Sequence, residues 1–284
     1  MNLYYEDVPA SEDEPPQLPP LLEAEKIDIG TDVMAKAITR AVSGEAGLVC
    51  YSEASHVLDM AITLAPEVGL NKALQMHQTM MIALGDSIGA LAPPEVGVRF
   101  RYPGVILFNR GHAGVVRIAS APCAADTDQP DWIVVSAQVR LRFVDDNLGV
   151  EDRMANTSLE DEGGGFISRT RLVESVSRHF LVWLHRWEEE GFRPIHETWT
   201  KRVEEEKTLL LKDNSVAEFL ALDENGAGLI TVDGKARTIS TIEIGRIRPN
   251  HDQDRLSRQR GYQRLLPLQP DRSFKCIRQR GRRG

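Results

Sequence analysis

The chain has 284 residues and carries 34 Lys+Arg against 42 Asp+Glu, a formal net charge of −8; at ~100–200 residues per domain it holds one large domain and a small one. A hydrophobic fraction of 42% supports a packed core and excludes wholesale disorder, and no run approaches the ~18 consecutive apolar residues of a membrane span. The acidic N-terminus is the reverse of a signal or transit peptide, and Cys50, Cys123 and Cys276 are odd in number and widely spaced, which points to a reducing, cytoplasmic setting without disulfides.

Residues 1–22 read as an acidic, proline-rich, unstructured arm. From Thr31 a short helix is expected, with Val33, Ala37, Ile38 and Ala41 on one face and Gly44 at its end. Ala46–Tyr51 and Val57–Leu64 read as strands, and Leu70–Leu91 as one long helix. After Pro93-Pro94 the pattern turns to β: Val96–Tyr102, Val105–Asn109 and Gly114–Ile118, with Asn109-Arg110-Gly111 as a hairpin turn. Trp132–Phe143 alternates with period two, placing Ile133, Val135, Ala137, Val139 and Leu141 on one face. Ser168 is a good N-cap for a helix running to Gly191, and a further helix is expected from Pro194 to Glu206.

Residues 208–245 change character. Leu209–Leu211, Ala217–Leu222, Gly228–Val232, Arg237–Ser240 and Glu243–Ile244 are short strands joined by tight turns, the pattern of a small SH3-like barrel. The final segment, 246–284, carries a net +9 and leaves −17 for the rest. It reads as a disordered basic tail with a weak case for an anionic partner.

Few motifs carry chemistry. Gly85-Asp86-Ser87-Ile88-Gly89 matches the serine-hydrolase pattern, but it lies on a helix instead of a strand-to-helix elbow, so close helix packing explains it better. None of the seven histidines makes an i, i+4 pair and no C-x-x-C is present, so no metal site is expected. No phosphate-cradling glycine motif occurs. Trp183, Trp187 and Trp199 at helical spacing read as core anchors. Arg101 and Arg140 lie on strands expected to be near-central, where each guanidinium needs either a structural partner or a bound anion.

Three stretches in order resemble the biotin protein ligase / lipoate–protein ligase superfamily. Arg101-Tyr102-Pro103-Gly104-Val105, running on to Ala113-Gly114-Val115-Val116, is similar to the family's Lys-Trp-Pro-Asn-Asp hairpin. Thr157–Glu160 with the two helices after it, closing on Trp-Glu-Glu-Glu-Gly at 187–191, is similar to the segment that follows the family's central strand. Ala221–Ile244 is similar to the SH3-like module of bacterial biotin ligases.

The resemblance implies an α+β fold: a mixed β-sheet with helices over 23–207, then the SH3-like module over 208–245. It implies ATP-dependent formation of a biotinyl or lipoyl adenylate and transfer to a lysine of a biotinyl/lipoyl carrier domain, with ATP and biotin or lipoate as ligands. Its ligand-binding positions fall on Arg101, Tyr102, Pro103, Gly104, Gly114, Ser136 and Arg140, and its essential lysine falls on Gly111. The family's glycine–arginine loop is replaced by Ser52-Glu53-Ala54-Ser55-His56. Two functions follow: a ligase with a rearranged, arginine-based site, or a non-catalytic relative that binds the acyl ligand or a carrier. Convergence of Arg101, Arg117 and Arg140 on one pocket discriminates between the two, and a pocket lined only by apolar groups would remove the ligase reading.

Overall fold

Apolar residues at every second position from Ile133 to Leu141 give one strand of this chain a continuous apolar face, and the sheet is built around it. That strand is β7 (Ile133–Arg140), the middle of a seven-stranded sheet in a computed structural model that describes residues 14–144, 156–204, 208–211 and 215–240. The other strands are β1 (Glu23–Ile27), β2 (Leu48–Ser52), β3 (Val57–Leu64), β4 (Val98–Arg101), β5 (Val105–Phe108) and β6 (Gly111–Ser120). Their spatial order is β1-β2-β3-β7-β6-β5-β4. Only β1 runs parallel to its neighbour, β2; every other pair is antiparallel.

Two layers cover this sheet. Ile133, Val135, Ala137, Val139 and Leu141 point into the main core, where α3 (Met76–Leu91) and α4 (Arg169–Glu190) pack. The opposite face takes α1 (Val33–Val42), whose Val33, Met34, Ala37 and Ala41 close a smaller cluster with Cys50, Ala61 and Val134. Asp32 caps α1 by accepting from Ala35 N–H at 2.9 Å. The expected long helix over 70–91 is interrupted: α2 (Leu70–Ala73) precedes α3. Gln75 N–H reaches the Lys72 carbonyl and His77 N–H the Leu74 carbonyl, i to i−3 bonds that tighten the chain between the two.

Ser168 and Gly191 bound α4 as their chemistry requires: the serine hydroxyl accepts from Arg171 N–H at 3.1 Å, and the glycine takes φ 75°. The following helix, α5 (Arg193–Thr200), is shorter than expected. Trp183, Trp187 and Trp199 are all anchors. Trp199 is buried with its indole N–H toward Met81 Sδ, Trp183 donates to Asp86 Oδ2 at 2.7 Å, and Trp187 donates to Gln75 Oε1 at 2.6 Å.

The C-terminal module is a four-stranded antiparallel sheet in the order β11-β10-β9-β8, built from β8 (Thr208–Leu210), β9 (Val216–Leu222), β10 (Gly228–Val232) and β11 (Lys235–Ile239). Among the described residues it makes no strand pairing with the main sheet, as expected of an SH3-like module. It is not packed as an independent unit, however. Phe219, Leu222, Ile230 and Ile239 belong to the same core as the main sheet. The expected strand at Glu243–Ile244 and the basic tail 246–284 lie outside the described residues, as do residues 1–13.

Within the expected arm, residues 14–22 run against the body: Leu22 is buried and Gln17 N–H donates to Glu174 Oε1 at 2.7 Å. β1 has no counterpart in the expected elements. Its sequence, EAEKI, is that of a charged edge strand, and edge strands need no apolar alternation. Arg101 needs a correction. It lies on β4, the edge of the sheet, because the chain reverses at 102–104 before it reaches the centre. Arg140 is central, on β7.

Candidate functional site

The cross-strand register determines which residues share a surface. Arg101 pairs with Val105, Val105 with Val115, Val115 with Gln138 and Gln138 with Asp59, so these five side chains form one row across β4, β5, β6, β7 and β3. Two positions along, Arg117 pairs with Ser136 and Ser136 with Ala61, which is part of the α1 cluster. Two positions the other way lie Arg140 and Val57, with His112 opposite Leu107. Arg101, Arg117 and Arg140 therefore project from one face of the sheet, the face α1 only partly covers. The side chains of Arg101, Arg117, Arg140, His112, Gln138 and Asp59 are half-buried there.

This surface is cationic at both ends. Gln138 Nε2 donates to Asp59 Oδ2 at 3.0 Å across β7 and β3, and Ser136 Oγ lies 3.4 Å from Met34 Sδ. Burial pushes the Asp59 carboxyl up to about 6, against the pull of the Gln138 hydrogen bond and the Arg117 charge. Burial likewise holds the Arg117 guanidinium below its ordinary range. His112 is held down to about 4, by burial first and then by the charges of Arg140 and Arg101, so it is neutral near pH 7. Arg140 donates to the carbonyls of Thr157, at 2.9 Å, and His112, at 3.4 Å, which brings residue 157 beside the start of β6.

The remaining expected site residues go elsewhere. Tyr102 points into the main core, where its ring stacks on Phe219 with centroids 4.5 Å apart and its hydroxyl donates to the Ile239 carbonyl at 3.3 Å. Pro103 follows it through a cis peptide bond. Gly104 is glycine for want of space: a Cβ there would meet the Val116 carbonyl oxygen at 2.3 Å and His77 Nε2 at 2.7 Å. Gly114 is equally confined, its Cβ position 2.1 Å from the Gln138 carbonyl oxygen. The structure thus brings Arg101, Ser136 and Arg140 to one face and directs Tyr102 to the other.

Gly111 is the decisive position. It begins β6 directly after the Asn109-Arg110 turn, whose two residues both have positive φ, 44° and 85°, as a two-residue hairpin of this hand requires. A Cβ on Gly111 would lie 2.7 Å from both Cβ and Cγ2 of Thr157. Thr157 is itself fixed: it is buried, its N–H donates to the His112 carbonyl at 2.9 Å, and its hydroxyl donates to Glu162 Oε1 at 2.6 Å. The space a side chain at 111 would need is filled by the chain itself.

The β2–β3 turn is held as firmly. Arg169, at the start of α4 and buried, donates to the carbonyls of Ser52 and Glu53 and lies over the Tyr51 ring. Arg142 donates to Ser55 Oγ at 2.7 Å, and the His56 carbonyl accepts from Leu141 and Arg142 N–H. Asp59, Gln138 and Arg169 escaped the reading of the sequence. Polar residues interrupting apolar strands signal the first two, whereas nothing local marks Arg169, whose carbonyl partners Ser52 and Glu53 lie more than a hundred residues away. The G-x-S-x-G serine, Ser87, is fully buried and donates to the Ala83 carbonyl at 2.7 Å, so it is a packing residue. Among the described residues no cluster of three metal-ligating side chains occurs and no helix is long and apolar enough to cross a membrane.

Comparison with known proteins agrees with this geometry. The profile of the biotin/lipoate A/B protein ligase family matches residues 18–201. A biotin protein ligase-like protein of unknown function from Silicibacter sp. TM1040 is 31% identical, with a TM-score of 0.72 over 81% of this chain and 98% of its own. Biotin protein ligase from Aquifex aeolicus is 13% identical, with a TM-score of 0.62 over 80% of this chain and 99% of its own. The same Aquifex enzyme in complex with biotin and ATP superimposes with a TM-score of 0.61 at 12% identity, over 80% of this chain and 99% of its own. No curated protein sequence matches the chain. The family match, covering well over half the residues, and the 31% identical relative together establish that the chain belongs to the biotin/lipoate A/B protein ligase family.

Proposed function

We propose that this chain is a non-adenylating member of its family that binds a carboxylate-bearing acyl ligand of the biotin or lipoate class on the arginine-bearing face of the main sheet. The observation that carries the reading is at Gly111, where Thr157 fills the space of the side chain that the family's lysine position would place there. The β2–β3 turn, Ser52-Glu53-Ala54-Ser55-His56, offers no arginine and is tied down by Arg169 and Arg142. These residues do not fit ATP-dependent activation of a carboxylate, since losing one preorganised donor typically removes ~2.7–4 kcal/mol of transition-state stabilisation. Binding asks less. A guanidinium on a half-buried face still recognises a carboxylate, and Arg101, Arg117 and Arg140 supply three.

Those three arginines favour one second reading, a ligase that uses guanidinium groups in place of the lysine. Exchange of labelled pyrophosphate into ATP separates the two when run with biotin, lipoate and octanoate in turn. No exchange above blank is expected with any of them, nor acylation of a biotinyl or lipoyl carrier domain. A thermal shift with an acyl-adenylate analogue is expected, and Arg101→Ala should abolish it without lowering the unliganded Tm. Robust exchange that disappears in Arg101→Ala would establish the arginine-based ligase instead.

A further inference from the structure

We infer that the acyl ligand bound on this face carries a second anionic group at its far end, so that an α,ω-diacid is preferred to a monocarboxylic acyl chain of the same length. The inference rests on the binding reading above and adds the substrate class. Its basis is the separation of the cations. Arg117 lies opposite Ser136, and Arg140 stands four residues further along β7, about 13 Å at ~3.3 Å per residue. Arg101 lies at the other end of the row through Val105, Val115 and Gln138. Between the poles the floor is Val115 and Gln138, a strip suited to a short chain of methylenes.

Arg117 is the residue that points to a ligand. Among the described residues its side chain makes no hydrogen bond and no ion pair within 4 Å, yet it is half-buried. The carboxylates facing it are Asp59, already engaged by Gln138 from the neighbouring strand, and Asp32, which caps α1. Neither closes on the guanidinium. Burial costs this guanidinium more than the charges of Asp59 and Asp32 return to it, and a bound carboxylate or phosphate on its open side would supply the hydrogen bonds they do not make. An alkyl or dithiolane tail at this end would bury that charge further.

Isothermal titration of the full chain with octanedioate and with octanoate tests the preference. At least tenfold tighter binding of octanedioate than of octanoate is expected, with the two falling to parity in Arg117→Met. Asp59→Asn should tighten octanedioate several-fold, because it removes the carboxylate that opposes Arg117; this variant decides the matter if Arg117→Met does not fold. Equal affinities in the wild type, or an Asp59→Asn variant that binds octanedioate no more tightly, would overturn the inference while leaving acyl binding intact. Failure of biotin, lipoate, octanoate and octanedioate alike to bind would remove the binding reading itself, and the inference with it.

Discussion

Replacing Gly111 by alanine is a direct probe of why the lysine position is glycine, because two physical effects predict opposite signs. In open space, Gly→Ala stabilises by ~0.4–1 kcal/mol through the unfolded chain. Here the added Cβ meets Thr157 Cβ and Cγ2, both at 2.7 Å, well inside van der Waals contact. The threonine cannot rotate away without releasing its bond to Glu162 at 2.6 Å. Overpacking of this kind costs about 1–3 kcal/mol, a fall in Tm of roughly 3–9 °C at about 3 °C per kcal/mol. Differential scanning calorimetry of wild type, Gly111→Ala, Thr157→Gly and the double variant forms a cycle. The cost of the alanine should vanish or reverse in the Thr157→Gly background, which has no Cβ to meet. A Gly111→Ala protein as stable as wild type, or an equal cost in both backgrounds, would refute the reasoning. Gly111→Lys should likewise destabilise and bring no pyrophosphate exchange.

Further outcomes follow from the same geometry. Arg110→Gly should raise stability by about 1 kcal/mol in denaturant titrations, since Arg110 has φ 85°, where an L side chain is penalised by ~1–2 kcal/mol. Phe219→Ala should cost about 3–5 kcal/mol and, by removing the ring under Tyr102, should weaken ligand binding at Arg101 although Phe219 lies in the other sheet. Stability should fall as the pH is lowered from about 6.5 to 4. His77, fully buried, and His112 are both held down to about 4 by burial, so the unfolded chain takes up protons in this window before the folded one. Each contributes about 3 kcal/mol at the acid end. Asp59, raised to about 6, acts with the opposite sign and offsets one of the two. His77→Gln should flatten the pH dependence of unfolding, and an unchanged slope would refute the assignment.

Much of the fold was legible because periodicity is local. The period-two alternation of Ile133–Leu141 specified a half-apolar central strand, and the Ser168 and Gly191 caps bounded α4 from single residues. The Asn109-Arg110-Gly111 turn was equally readable, as was the change of pattern at the C-terminal strands. β1 was not, because a charged edge strand gains its hydrogen bonds from a neighbour and carries no pattern of its own.

The site divides in the same way. Which residue types stand at 101–104, 111 and 114 is a property of the sequence, and so is the resemblance those positions carry. That Arg101 and Tyr102 face opposite ways follows from their adjacency where β4 ends. Register between strands is different, because it depends on pairings made across the sheet. Only that register puts Arg117 and Arg140 beside Asp59 and Gln138, and only the return of residue 157 to the start of β6 closes the space at Gly111. The buried Arg169 holding the turn at Ser52 and Glu53 is of this kind too, a contact between residues more than a hundred positions apart that no local pattern encodes. Short-range sterics and periodicity are written into neighbouring residues, whereas the charge of a surface and the room beside a glycine depend on which distant segments the core brings together.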